Sequence, residues 1–173
     1  MRAMFMGGMA GLFVISIAAC QSSPPASVPV ASSTSAPSPV SPVIPTQIVP
    51  ASSWLEVDLA KQTVSLHDDG KVVAEYAAST GVTSDRKYAT PPGVYRIQSK
   101  DKGPVESSPG VFVSDVVMFD IRLGNGFHSR PMDAQGHILD ATLGKPTTAG
   151  CVRVGESARL FEFAQLGMWV WIH

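Results

Sequence analysis

From Trp54 onward the chain alternates apolar and polar positions at a period of two. Trp54-Leu55-Glu56-Val57-Asp58-Leu59, Thr63-Val64-Ser65-Leu66-His67 and Val72-Val73-Ala74-Glu75-Tyr76 each read as a strand with one face turned to a core. The second and third flank Asp68-Asp69-Gly70, and an Asp-Gly pair between two such runs predicts a tight hairpin, because its turn needs positive φ. Further strands are predicted at Gly93–Ile97, Val111–Val113, Val116–Phe119 and Met168–Ile172. One helix is predicted over Glu156–Leu166, with Leu160, Phe161, Ala164 and Leu166 as its apolar face and Gly167 as its stop. The pattern predicts a mostly β domain with one main helix, an α+β fold.

The residues before Trp54 follow another logic. Met1-Arg2 gives a short positive start, and Ala3 to Ala19 is uncharged and apolar. That stretch is shorter than the roughly 20 apolar residues that span a bilayer. It ends in Ile15-Ser16-Ile17-Ala18-Ala19-Cys20, which resembles the lipobox of bacterial lipoproteins. The resemblance implies a signal peptide over residues 1–19, cut before an acylated Cys20, and a mature protein held at the membrane by its lipid. Gln21 follows, with no aspartate, resembling the default outer-membrane pattern. The expected location is the cell envelope, on the periplasmic face of the outer membrane in a cell with two membranes. From Gln21 to Ser53 there is no charged residue, and Pro, Ser, Ala, Val and Thr dominate. Such a stretch buries too little to offset its ordering entropy, so residues 20–53 read as a lipidated, semi-extended tether. At about 3 Å per residue it could reach on the order of 100 Å.

Residues 54–173 have the length of one domain with a sizeable core. The formal net charge of the whole chain is −1, and no basic run or aromatic–basic interleaving occurs, so nucleic acid is not an expected partner. A monomer is expected. With Cys20 assigned to the lipid, Cys151 is left unpaired in an exported domain. An odd thiol in an oxidising compartment points to a nucleophile, against the alternative of a small buried core residue. The glycine before it, Gly150, favours close approach of a substrate or a neighbouring backbone.

Several short strings now line up in order. They are Trp54–Val64, Ser79-Thr80-Gly81, Thr90-Pro91-Pro92-Gly93-Val94-Tyr95, Met118-Phe119, Phe127-His128-Ser129, Leu143-Gly144-Lys145-Pro146 and Gly150-Cys151-Val152-Arg153. Together they resemble an L,D-transpeptidase catalytic domain of the YkuD type over essentially all of residues 54–173. The resemblance implies a YkuD-like β-sandwich or barrel and a cysteine enzyme that rearranges peptidoglycan stem peptides without a cofactor. By the same match, Cys151 is the nucleophile, His128 the base, and the Ser129 carbonyl the group that fixes the imidazole tautomer. The backbone N–H groups of Cys151 and Gly150 would face the oxyanion. Arg153 is read either as a carboxylate binder or as a brace for the cysteine loop, since its guanidinium fork suits both.

The chain departs from the family pattern at three places. Ala149 stands where a second histidine is usual. His128 precedes Cys151 by 23 positions, a long spacing that Asp133-Ala134-Gln135-Gly136-His137 accounts for as an inserted turn. Val116-Val117 takes the place of a tyrosine often seen before Met-Phe. The remaining conspicuous residues get plainer readings: His67 exposed beside the hairpin turn, Trp169 and Trp171 packing on one strand face, and Asp85-Arg86-Lys87 a solvated charged loop. A metal at His137, Asp133 and Asp140 with His128 and Cys151 matches no zinc spacing and would tie up the thiolate, so no metal is expected. Two alternatives to transpeptidation stay open: an L,D-carboxypeptidase or amide hydrolase using the same acyl-enzyme, and a non-catalytic peptidoglycan-binding lipoprotein.

Overall fold

The computed structural model describes residues 43–46 and 52–173. The expected signal segment, Cys20 and most of the tether lie outside the described residues. Eleven strands and one helix run in the order β1 (Ser53–Asp58), β2 (Thr63–Asp68), β3 (Lys71–Ser79), β4 (Gly93–Arg96), β5 (Ser99–Asp101), β6 (Val105–Ser108), β7 (Val111–Val113), β8 (Val116–Asp120), β9 (Asn125–His128), β10 (Val152–Val154), α1 (Ser157–Phe163) and β11 (Trp169–Ile172). Nine strands form one sheet in the order β4-β11-β1-β2-β3-β10-β9-β8-β5, curled into a half-barrel, and β6 and β7 form a separate hairpin. The mostly β, one-helix architecture is the one the alternation predicts.

β1 and β2 bury the residues their period assigns to the core, whereas β3 leaves Val72 and Val73 exposed, with Ala74 and Tyr76 half-buried, because its hairpin end runs out past the core. Leu55, Val57, Val64 and Leu66 are buried, and β1 pairs antiparallel with β2 and parallel with β11. The β2–β3 hairpin closes through Asp69 and Gly70 at φ 46° and 71°, the two successive positive values a twisted two-residue turn requires. Short β5, β6, β9 and β10 escape the periodicity because three- and four-residue strands carry little of it.

Two expectations need correction. The helix stops at Phe163, not Leu166: Ala164 is extended at ψ 135°, and Lys100 Nζ donates to the Phe161 and Ala164 carbonyls, each at 2.6 Å. Leu160 and Ala164 are buried as expected, but Leu166 falls in the turn beyond the helix and is exposed. His67 is buried rather than exposed. Its ring stacks on Trp54 with centroids 3.6 Å apart, and its Nε2 lies 2.7 Å from Glu56 Oε2, so the aromatic face and a carboxylate together cover it. Trp171 packs against Trp54, and Trp169 lies under the Arg96 guanidinium, 3.4 Å from its ring centroid.

Candidate active site

Two parallel strands bring the predicted site residues together. In the β9–β10 pair Phe127 lies opposite Val152 and His128 opposite Arg153. Phe127 and Val152 are fully buried and fix that register through the core. Cys151, one residue before Val152, therefore falls near the level of Gly126, two positions before His128 along the neighbouring strand. The Cys151 and His128 side chains line two cavities. One, of about 270 Å³, is walled by apolar Val113, Val116, Met118 and Phe127. The other, of about 420 Å³, also presents Ser108, Thr148 and Arg153. The β6–β7 hairpin contributes to both walls. Val116 takes part in the apolar wall, and Ala149 is exposed on the polar one.

The imidazole is oriented from behind. His128 Nδ1 lies 2.6 Å from the Ser129 carbonyl oxygen, which can only accept, so Nδ1 carries the proton and Nε2 keeps its lone pair. Ser129 is itself held: its N–H donates to the Ser114 carbonyl and its Oγ accepts from the Ser114 N–H, both at 2.9 Å. The neighbouring Asp115, buried at φ 55°, accepts from Ser157 Oγ of the first helical turn at 2.7 Å. Burial pushes the His128 pKa down, the Ser129 carbonyl raises it in part, and nearby Arg153 adds to the lowering. Burial raises the Cys151 thiol, and a hydrogen bond from the Gly126 backbone offsets some of that. The thiol also lies 3.4 Å from the Gly124 carbonyl. Both shifts favour the uncharged forms, thiol and neutral imidazole.

The segment carrying Cys151 is tied to the end of β3. Thr147 and Thr148 donate their N–H groups to the Thr80 carbonyl at 2.8 and 3.0 Å, and Val82 N–H returns a bond to the Thr148 carbonyl at 3.0 Å. Thr148 Oγ1 donates to the Cys151 carbonyl. Gly150 sits at φ 113°, and a Cβ there would fall 2.5 Å from Asn125 Oδ1. The close approach expected at this glycine is thus made by a buried side chain of β9. Gly81 is comparably crowded, its missing Cβ overlapping the backbone of Tyr88 and Thr90.

Arg153 is buried and reaches back across the β9–β10 crossover. Its Nη1 donates to Asp140 Oδ2 at 2.6 Å and to the Thr142 carbonyl at 3.1 Å. Hydrogen bonds from Thr142, then the Arg153 guanidinium, hold the Asp140 carboxyl at about 2. The brace half of the sequence reading describes Nη1. Its Nε has no partner among the described residues and is buried, and the side chain lines the larger cavity. His137 is exposed on the inserted turn, with Nδ1 2.9 Å from Asp133 Oδ2, and that turn is closed by Asp133 accepting from Gln135 and His137 N–H groups. It stands apart from the residues lining the two cavities. Thr80, Thr90 and Asn125 also build the site; Thr80 and Thr90 stand in the recognised strings, which give them no role, and Asn125 stands outside those strings. A buried amide pressed against a glycine 25 positions away leaves no local sequence signal.

A family model described as the YkuD L,D-transpeptidase catalytic domain matches residues 52–172. The chain belongs to that family. Among solved structures, an L,D-transpeptidase from Mycobacterium smegmatis aligns at 19% identity and TM-score 0.54, covering 70% of this chain and 58% of that one. One from Mycobacterium tuberculosis H37Rv aligns at 20% identity and TM-score 0.56, covering 70% and 57%. A structure described as an L,D-transpeptidase in complex with imipenem aligns at 19% identity and TM-score 0.54, covering 70% and 59%. At these identities the likeness is one of fold, and the chain spans less than two thirds of each relative's length. A search of curated proteins finds no match. The YkuD assignment accounts for the curled sheet, the single helix and the order of the recognised strings.

Proposed function

We propose that this YkuD domain is a cysteine acyltransferase that rearranges peptidoglycan stem peptides. The observation that carries the reading is that Cys151 and a half-buried His128, oriented through Nδ1, line the same two cavities. Cys151 Sγ attacks the carbonyl by which the diaminopimelate or equivalent residue is joined to D-alanine, and its proton passes to His128 Nε2. The negative charge that develops on the carbonyl oxygen is met by the Cys151 backbone N–H, with that of Gly150 beside it. The tetrahedral adduct collapses to a thioester, and the departing D-alanine amine takes the proton from Nε2. An acceptor amine then attacks the thioester, loses its proton to Nε2, and the thiol is restored. Arg153, braced through Nη1 on Asp140, lines the larger cavity and sets its positive charge there to meet a substrate carboxylate.

Acylation and location complete the reading. Cys20 carries the lipid, residues 21–53 span the gap from the membrane, and the domain acts on stems at some distance from the lipid surface. The protein works as a monomer. Mass spectrometry of the purified protein incubated with tetrapeptide muropeptides tests the reaction. Cross-linked dimers or exchanged termini are expected. Tripeptides alone would make water the acceptor, and unchanged muropeptides would leave a peptidoglycan-binding lipoprotein.

A further inference from the structure

Gln62, at the far end of the β1–β2 turn, holds the piece of β3 from which the cysteine segment hangs. It is buried and sits at φ 57°, a region that favours glycine or asparagine, so its side chain has to account for its presence there. That side chain makes three hydrogen bonds. Nε2 donates to the Leu59 carbonyl and to Thr80 Oγ1, each at 2.7 Å, and Oε1 accepts from the Thr80 N–H at 2.9 Å. The Gln62 carbonyl takes the Ala78 N–H at 2.8 Å. Thr80 is thus fixed on its N–H side and through its hydroxyl by one residue. Its carbonyl side receives Thr147 and Thr148, and Thr148 Oγ1 reaches the Cys151 carbonyl. The whole run, from Gln62 through Thr80 and Thr148 to Cys151, is made of hydrogen bonds between buried or half-buried groups.

We propose that Gln62 is a positioning residue for Cys151, setting through Thr80 the place at which the 147–150 segment delivers the thiol beside His128. The proposal rests on the reading of Cys151 as nucleophile. The chemistry at position 62 asks for an amide: the Thr80 N–H needs an acceptor, while the Leu59 carbonyl needs a donor. Glutamate has no donor, methionine has neither, and asparagine is a methylene short. Gln62 touches no reacting atom, so its effect falls on geometry. A displacement of about 1 Å at a reacting group costs up to about 100-fold in rate.

Three quantities measured on the full-length chain test this: the rate of Cys151 acylation by imipenem, the rate of its alkylation by iodoacetamide as a function of pH, and the thermal midpoint. In Gln62→Met, acylation is expected to fall on the order of tenfold or more. Alkylation at a pH where the thiolate is fully formed should stay within about twofold, because it needs no base. Leu160→Ala, a core cavity remote from this run, serves as the control for destabilisation alone. Equal acylation losses at equal loss of thermal midpoint in Gln62→Met and Leu160→Ala would overturn the proposal. If Gln62→Met does not fold, Gln62→Glu takes its place. It keeps the acceptor for Thr80 N–H, an intermediate loss is expected, and parental acylation overturns the idea. A parent that is alkylated but never acylated refutes acyl transfer and leaves the positioning claim to the alkylation profile. A shift of the alkylation midpoint by about half a unit or more in Gln62→Met then supports it, and coincident profiles sink it.

Discussion

Thr90 Oγ1 donates to the Gly150 carbonyl at 2.9 Å while accepting the Gly81 N–H at 2.8 Å. One hydroxyl therefore couples the residue before Cys151 to the segment that follows β3. Both bonds are buried, and losing the hydroxyl strands a donor and an acceptor at about 1–3 kcal/mol each. Thr90→Val is expected to lower the thermal midpoint and slow acylation, and Thr90→Ser to recover most of both. Calorimetry with imipenem-acylation kinetics checks it; a Thr90→Val protein acylated at the parental rate would detach this contact from the site.

Replacing His128 by Ala should abolish turnover and slow acylation, with circular dichroism close to the parent. His137→Ala should be nearly neutral, because His137 is exposed and pairs only with Asp133 on its own turn. Inactivity confined to His137→Ala would move the base into the inserted turn.

The pH profile has two limbs that both rise with pH, their midpoints displaced in opposite directions. Protonating Nε2 removes the base, so acylation falls as pH drops through the His128 pKa, which burial places below the ordinary value of about 6.5. The thiol is raised instead, so iodoacetamide alkylation should keep climbing past the ordinary thiol value of about 8.5. Stopped-flow measurement of both limbs checks this. An alkylation midpoint near neutrality would mean a standing thiolate–imidazolium pair.

Gly150→Ala should be among the most damaging single substitutions. It demands φ 113° of a residue with a side chain and drives Cβ to within 2.5 Å of Asn125 Oδ1. Strain and overpacking together cost on the order of 2–5 kcal/mol. Thermal unfolding of Gly150→Ala, and of Gly150→Ala with Asn125→Gly to clear the clash, separates the two contributions. A parental midpoint in the single variant would contradict the crowding.

Intact mass should show a single imipenem adduct on the parent that is lost in Cys151→Ala, and Cys20→Ser should leave the membrane fraction with the domain still acylated. An adduct that persists in Cys151→Ala would exclude that thiol as the acylated residue.

What the sequence made legible follows from locality. The meander of β1 to β3 shows itself because long alternating runs and an Asp-Gly turn are local signals, and Cys151, His128 and Ser129 because they stand in short recognisable strings. Helix α1 was drawn three residues too long because Leu166 fits the helical period, whereas the stop is made by Lys100, more than sixty positions away. His67 was placed in solvent because its cover, Trp54 and Glu56, lies on the neighbouring strand. The sequence allows Arg153 two roles, since only the fold shows which nitrogen Asp140 occupies.

The parallel pairing of β1 with β11 has a mechanical consequence. β1 begins at Ser53, where residues 20–53 would enter the domain, and it lies between β11 and β2. Tension drawn along that strand is met on both flanks at once, with the ladder hydrogen bonds sheared together rather than peeled apart one by one. Force entering at Ser53 would thus be shared by two ladders before the strand could leave the sheet.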